Sequence, residues 1–188
     1  TSNTAVGYKA LNLNATNDNN TAVGLGALES NVNDSNTAVG YYSLRANTTG
    51  DNNVAVGVLA LNANTTAASN TAVGRSALAV NTTGTANVAV GTYALDANTT
   101  TSNNVAVGHN ALTANTESNN TAVGFEALDS NSTGARNTSV GSQSMATNTT
   151  AADNTAVGYN ALRLNTTGTK LTAMGSYCLD SNTTADCN

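Results

Sequence analysis

Apolar and polar residues follow a pattern that repeats along the whole chain. Aligned on the glycine of an Ala-Val-Gly motif, the sequence shows eleven copies in steps of seventeen, except for two steps of sixteen. The unit reads N-[TV]-A-V-G-x-x-A-L-x-x-N-T-T-x-x-x. The glycines, which define position 0 of each repeat, are Gly7, Gly24, Gly40, Gly57, Gly74, Gly91, Gly108, Gly124, Gly141, Gly158 and Gly175. A period this constant predicts one repeat domain over residues 1–188.

The length and composition of the unit favour β-structure over helices. Helix-pair repeats usually need about 33 residues or more, and Asn, Thr, Gly and Val are poor helix formers. We therefore predict an all-β fold, a β-solenoid (β-roll) of eleven 17-residue repeats, in which each coil carries two or three short strands. At a rung spacing of about 4.8 Å, the rod is expected to be roughly 50 Å long.

Two apolar columns are predicted to form the core. They are the valine at position −1 and the leucine at position +4, while the glycine is interpreted as a bend. Alanine neighbours valine in almost every repeat, so both faces of the strand look protected. The small-residue face is expected to pack either against another chain or against another wall of the same coil. The two one-residue deletions are expected in the variable stretch after N-T-T.

Asparagine occupies position +7 in every repeat. One interpretation is a turn in which stacked amides form a ladder. The other is N-glycosylation. The two interpretations exclude each other, because one amide cannot both carry a glycan and take part in the ladder. Nine of the eleven begin an N-x-[ST] sequence: Asn14, Asn47, Asn64, Asn81, Asn98, Asn131, Asn148, Asn165 and Asn182. O-linked sugar on threonines such as Thr48, Thr65 and Thr82 is a comparable alternative.

Charge and composition argue against several functions. Only 9% of the residues are charged and the net charge is −5, so neither nucleic acid nor an anionic membrane is an expected partner. No apolar run approaches the roughly 20 residues that span a bilayer. The single histidine, His109, lies in a variable, outward column, and no acidic pair recurs at fixed spacing. We therefore predict no enzyme activity and no catalytic, cofactor or metal site.

The last repeat contains both cysteines, Cys178 and Cys187. We predict a disulfide between them, which indicates an oxidising, extracellular or cell-surface setting. The alternative is a covalent link to a neighbouring subunit. Asn3 and Asn188 fall on the same position of the repeat, so no cap is evident. This suggests either a slice of a longer shaft or head-to-tail stacking of subunits.

Two nine-residue runs, 3–11 and 154–162, read N-T-A-V-G-Y-x-A-L. They resemble the head repeats of YadA-like trimeric autotransporter adhesins and, more closely, the repeats of phage tail-fibre-like and bacterial surface proteins. The resemblance implies a left-handed β-roll, commonly trimeric, that serves as a rigid projecting shaft or an adhesive surface.

The function predicted from these observations is structural. We expect a self-assembling subunit of an extracellular fibre, filament or surface appendage, either a head-to-tail filament or a homotrimer, with glycans as a further partner. One alternative is a trimeric tail-fibre or adhesin segment that binds a host receptor. Another is an ice-binding or carbohydrate-binding solenoid. The adjacent Thr-Thr pair argues against ice binding at the turn, because its two side chains point opposite ways and a flat threonine face would favour T-x-T spacing.

Overall fold

The computed structural model describes residues 2–186, which wind into one parallel β-solenoid. Eleven three-residue strands pair in chain order into a single parallel sheet. The strands are β1 (Thr4–Val6), β2 (Thr21–Val23), β3 (Thr37–Val39), β4 (Val54–Val56), β5 (Thr71–Val73), β6 (Val88–Val90), β7 (Val105–Val107), β8 (Thr121–Val123), β9 (Thr138–Val140), β10 (Thr155–Val157) and β11 (Thr172–Met174). The strands are spaced by about 17 residues, so the predicted all-β solenoid is confirmed.

The register between strands is the same at every rung. Alanine at position −2 pairs with the residue at position −2 of the next repeat, as in Ala55 with Ala72. Backbone bonds on both sides of the strand continue this register. The amide of Thr71 donates to the carbonyl of Asn87 at 2.9 Å, and the amide of Gly74 donates to the carbonyl of Val56 at 2.8 Å. Each rung therefore repeats its neighbour's pairing along the rod.

The described part of each coil contains one strand, not the two or three that the sequence predicted. The reason is the backbone conformation after the glycine. Residues at positions +2 and +4 are left-handed, as in Leu59 and Leu61 with φ of 60° and 50°, and this interrupts extended structure. Rungs still bond to each other there, since the amide of Leu61 donates to the carbonyl of Ala77 at 3.1 Å.

The prediction that valine at position −1 belongs to the core is wrong. Within each interior strand the middle residue, alanine or serine, is fully buried, whereas valine at position −1 lies on the outer side, 36% exposed at Val73. Successive strand residues point to opposite faces, and the inner face is occupied by the small residue. The buried cluster consists of alanine at −2 and +3 with leucine at +4, for example Ala72, Ala77 and Leu78.

This arrangement decides between the two expectations for the small-residue face. The alanines at position −2 pack against the alanine and leucine that follow the glycine within the same chain, and they have no exposed surface. The small-residue face therefore packs against another wall of the same coil, and the expectation that it faces another chain is wrong. The interior is narrow, which explains why alanine is used where a wider solenoid would hold a larger side chain.

A pair of substitutions in one strand distinguishes the two faces. Ala72→Leu adds volume to a closely packed interior and is expected to cost more than about 2 kcal/mol. Val73→Ala shortens a side chain that is partly in solvent and is expected to cost less than about 1 kcal/mol. Urea unfolding of both variants checks this ranking, and a larger loss for Val73→Ala would contradict the assignment of the faces.

Left-handed backbone recurs at residues that disfavour it. At position −5, one residue before the buried asparagine, exposed Ala86 has φ of 55°. Left-handed geometry costs a non-glycine residue about 1–2 kcal/mol, while glycine loses about 0.5–1 kcal/mol in chain entropy. Ala86→Gly is therefore expected to raise the unfolding free energy by up to about 1 kcal/mol. Asn103→Gly is the control and should be nearly neutral, because asparagine tolerates this geometry; a destabilised Ala86→Gly variant would contradict the assignment.

Candidate functional surfaces

The asparagines at position +7 form a ladder of amides along the rod. In a central rung, Nδ2 of Asn64 donates to Oδ1 of Asn47 at 2.8 Å and to the carbonyl of Ala67 at 3.0 Å. Its own Oδ1 accepts from Nδ2 of Asn81 at 3.1 Å. Seven of the nine candidate glycosylation residues are fully buried: Asn47, Asn64, Asn81, Asn98, Asn131, Asn148 and Asn165. Asn14 and Asn182, in the first and last repeats, are partly buried.

These contacts bear on the alternative of N-glycosylation. Both Nδ2 hydrogens of Asn64 are used by two acceptors inside the solenoid. A sugar on that nitrogen would remove one of these bonds and would have to pass through a closed interior. An N-glycan at the buried members of the ladder is therefore incompatible with this rung geometry.

A second amide ladder lies at position −4, an asparagine column whose role the sequence pattern did not indicate. Oδ1 of Asn53 accepts from the backbone amide of Asn70 at 3.0 Å. Its Nδ2 donates to the carbonyl of Ala67 at 2.8 Å, the same carbonyl that Asn64 contacts. Both asparagines of a rung thus converge on one backbone oxygen at position +10. This satisfies polar groups that a buried turn would otherwise leave unpaired.

The two shortened repeats show where a residue is lost. In a standard rung the ladder amide reaches the carbonyl three residues on, as Asn47 does to Gly50. In the shortened rungs, Asn31 and Asn115 donate to carbonyls two residues on, those of Asn33 and Glu117. The deletion therefore lies within the N-T-T turn itself, one step earlier than expected. The column at position −4 stays bonded across both shortened rungs. The ladder at position +7 is interrupted there, because within residues 2–186 no amide bond joins Asn31 to Asn14 or Asn115 to Asn98.

The two threonines of the turn have different environments. At position +8 most hydroxyls bond to the next rung, as Thr48 donates to the carbonyl of Thr65 at 2.9 Å. Thr99 is an exception: it is exposed, and its hydroxyl has no hydrogen-bond partner within residues 2–186. At position +9 the side chain is exposed and has no hydrogen-bond partner within residues 2–186, as at Thr49 and Thr66. The accessible hydroxyls of the turn are therefore those at position +9 and that of Thr99. An O-linked sugar could reach these hydroxyls without breaking a rung contact.

Aromatic and basic side chains line part of position +1 and its neighbours. His109 is exposed and stacks on Phe125 with 5.7 Å between ring centroids, and Tyr93 meets His109 edge-on at 6.4 Å. The guanidinium of Arg75 lies 5.5 Å from the centre of the Tyr93 ring. His109 is therefore part of a stack of side chains on the surface, and this stack runs along the rod axis from rung to rung.

An open depression of about 480 Å³ lies beside the first shortened repeat, next to Glu29, Arg45 and Asn62. The Glu29 carboxylate bonds to Arg45 at 2.8 Å and to Lys9 at 3.0 Å, and these hydrogen bonds hold the pKa of Glu29 below its usual value. Oδ1 of Asn62 has no hydrogen-bond partner. The ion cluster beside the depression, formed by Lys9, Glu29 and Arg45, therefore carries a net charge of +1, and the unpaired Oδ1 of Asn62 is buried.

Two carboxylates at position +5 have pKa values that are shifted in the opposite direction from that of Glu29. Partial burial raises the pKa of Asp96, and burial likewise raises the pKa of Asp129, against a hydrogen bond from Thr113 that lowers it.

Within residues 2–186, no group of three or more His, Cys, Asp or Glu side chains is arranged to hold a metal ion. Over the same residues, no helix is long and apolar enough to cross a membrane.

The predicted disulfide involves a residue outside the described chain. Cys178 occupies position +3, where other repeats have alanine or serine. It is partly buried, and its thiol forms no disulfide with another residue of the range 2–186. Cys187 lies outside the described residues. The pairing of Cys178 with Cys187 therefore stays a prediction.

Comparison with protein-family models, with curated proteins and with solved structures gives no match to this chain. The class that the fold defines is a parallel β-solenoid of tandem repeats, with strands spaced by about 17 residues.

Proposed function

We propose that this chain is a structural rod segment of an extracellular fibre or surface appendage, which serves as scaffold, spacer or attachment surface. The observation that carries the proposal is the unbroken register of eleven strands, with two amide ladders running parallel to the sheet. Such a stack resists bending and extension along its axis because every described rung bonds to the next through the backbone and the amide column at position −4. Most rungs bond through the column at position +7 as well. Its length is set by the number of repeats.

Self-association follows from the same geometry. Every rung interface has the same register, and strand edges with unpaired backbone groups are templates for further pairing. Further rungs, whether from the same polypeptide or from another copy, would extend the same sheet and ladders. A contact of this head-to-tail kind repeats without closing and generates a filament.

The extracellular location is proposed from the two cysteines and from the resemblance of the N-T-A-V-G-Y-x-A-L runs to adhesin and tail-fibre repeats. That resemblance also supports a rival assembly, a trimeric segment that binds a host receptor. The observation that favours it is the outer face of the sheet, where no charged residue occupies position −3 or −1 in any repeat. Three such faces could meet around a common axis.

Native mass spectrometry of the naturally assembled material tests the proposal. An open-ended series of multiples of the 18.7 kDa chain is the expected result for a filament. A single species of three chains would support the trimeric adhesin or tail-fibre assembly instead. A monomer that persists at high protein concentration would contradict self-assembly. If the subunit mass exceeds that of the chain, peptide mapping is expected to place the sugar on threonines of position +9 and not on the buried asparagines.

A further inference from the structure

The outer face of the sheet is a regular two-column array. Position −3 carries threonine or valine and position −1 carries valine, with methionine only at Met174. Eight of the eleven residues at position −3 are threonine: Thr4, Thr21, Thr37, Thr71, Thr121, Thr138, Thr155 and Thr172. The alanine between the two columns faces the interior. The threonine motif of this face is therefore T-x-V, which is distinct from the Thr-Thr pair of the turn.

The chemistry of this face is unusual for a protein surface. None of the eight threonine hydroxyls has a hydrogen-bond partner within residues 2–186, and neither column holds a charge. The residues are partly exposed, with Val54 at 37% and Val140 at 36%. The face therefore presents unpaired hydroxyls beside methyl groups, and nothing on it would bind water in the irregular way that charged side chains do.

The geometry of the face is a lattice. Parallel strands in one register place equivalent side chains about 4.8 Å apart along the rod, and alternate residues of a strand lie about 6.6 Å apart across it. The glycine at position 0 ends the strand with a bend, so the variable residues at position +1 belong to the next segment of the coil. Ordered water in ice repeats its oxygen positions at comparable distances in two directions.

We infer that the T-x-V face is a binding surface for the ice lattice. Hydroxyls in one column take positions of lattice oxygens, and the valine methyls in the other column fit between them. An uncharged face is complementary to an uncharged lattice. A second copy of this chain is a weaker candidate for the occupant of the face. The face is about 50 Å long and two side chains wide, so it would bury an area only at the lower limit of stable protein interfaces. This inference is independent of the proposed fibre function.

Ice affinity of the purified chain tests the inference. The wild-type chain is expected to be incorporated into a slowly grown ice shell and to inhibit ice recrystallisation at micromolar concentration. Thr121→Lys with Thr138→Lys places two long charges on the face and should reduce both activities at least tenfold. Thr83→Lys, at exposed position +9 of the turn, is the matched control and should retain them.

A conservative variant separates the face from general folding effects. Thr121→Val should retain most of the activity, because it removes only one of the eight hydroxyls of this column and adds no charge; Val54, Val88 and Val105 already occupy equivalent positions. Circular dichroism confirms that each variant is folded. The inference is overturned if the folded wild-type chain is excluded from ice, if Thr83→Lys loses as much activity as the face variant, or if the chain forms a lateral oligomer that buries the valine column.

Discussion

Replacing Gly74 with alanine is expected to lower the unfolding free energy by more than about 3 kcal/mol. Gly74 has φ of 136°, a conformation that is essentially restricted to glycine. A Cβ atom there would lie 2.6 Å from the carbonyl oxygen of Gly91 in the next rung. Because that oxygen is backbone in a fixed register, neither rung can move aside without breaking strand pairs. Urea unfolding followed by circular dichroism measures the loss.

Gly175 provides the matched control for this prediction. It has φ of 126° but no atom within 4 Å of its added Cβ. Gly175→Ala therefore carries the backbone strain alone, about 1–3 kcal/mol, and Gly74→Ala carries the strain and the collision. Equal losses in the two variants would show that the close approach of successive rungs contributes nothing.

Replacing Asn64 with aspartate is the second large effect, with an expected loss of about 3–5 kcal/mol at pH 7. The substitution removes both donors of the Asn64 amide and places a carboxylate against the Oδ1 of Asn47 and the carbonyl of Ala67. Burial would raise the pKa of the new carboxyl in the folded chain above its value in the unfolded chain. The loss is therefore full above the folded-state pKa and becomes smaller as the pH falls through it.

An exposed asparagine gives the control. Asn103→Asp changes the same functional group on the surface and is expected to cost less than about 0.5 kcal/mol at either pH. Unfolding curves at pH 7 and pH 3 for both variants separate a buried amide from a surface one. A loss for Asn64→Asp that matches the control, or that grows as the pH falls, would contradict the ladder geometry.

The fold class could be predicted because the repeat period is a property of the sequence alone. Eleven glycines at near-constant spacing, in a unit poor in helix formers, leave few architectures. The hydrogen bonds that the asparagines at position +7 make also follow the ladder pattern described from the sequence. A turn asparagine that recurs at each rung lies beside its own copy, so amide bonds between rungs are expected from the sequence.

The faces of the strand could not be assigned in the same way. In Thr71–Val73, the rule that larger apolar residues are buried points to valine, but the interior of a coil this narrow admits only alanine. The width of the interior depends on the bends at positions +2 and +4. Leucine does not signal left-handed backbone, so the φ of 50° at Leu61 was not predictable from residue type.

Because the sequence pattern assigned valine and not alanine to the interior, the outer T-x-V face could not be predicted from the sequence. A valine assigned to the interior puts the threonine at position −3 on the interior side as well, so the Thr-Thr pair of the turn was the threonine pattern predicted to lie on the surface. Once Ala72 faces the interior, Thr71 and Val73 lie together on the opposite side of the sheet. Position −4 was likewise visible as a column, but its role depends on where the carbonyl of Ala67 lies, which is a property of the turn.

Cryo-electron microscopy of the isolated material tests the central claim most directly, because it measures the rung spacing and the length of the rod. We expect an axial repeat of about 4.8 Å and a contribution of roughly 50 Å of rod from each chain, with alanine density inside the coil and valine density outside. A compact particle without this repeat, or density that places the valines inside and the alanines outside, would contradict this claim.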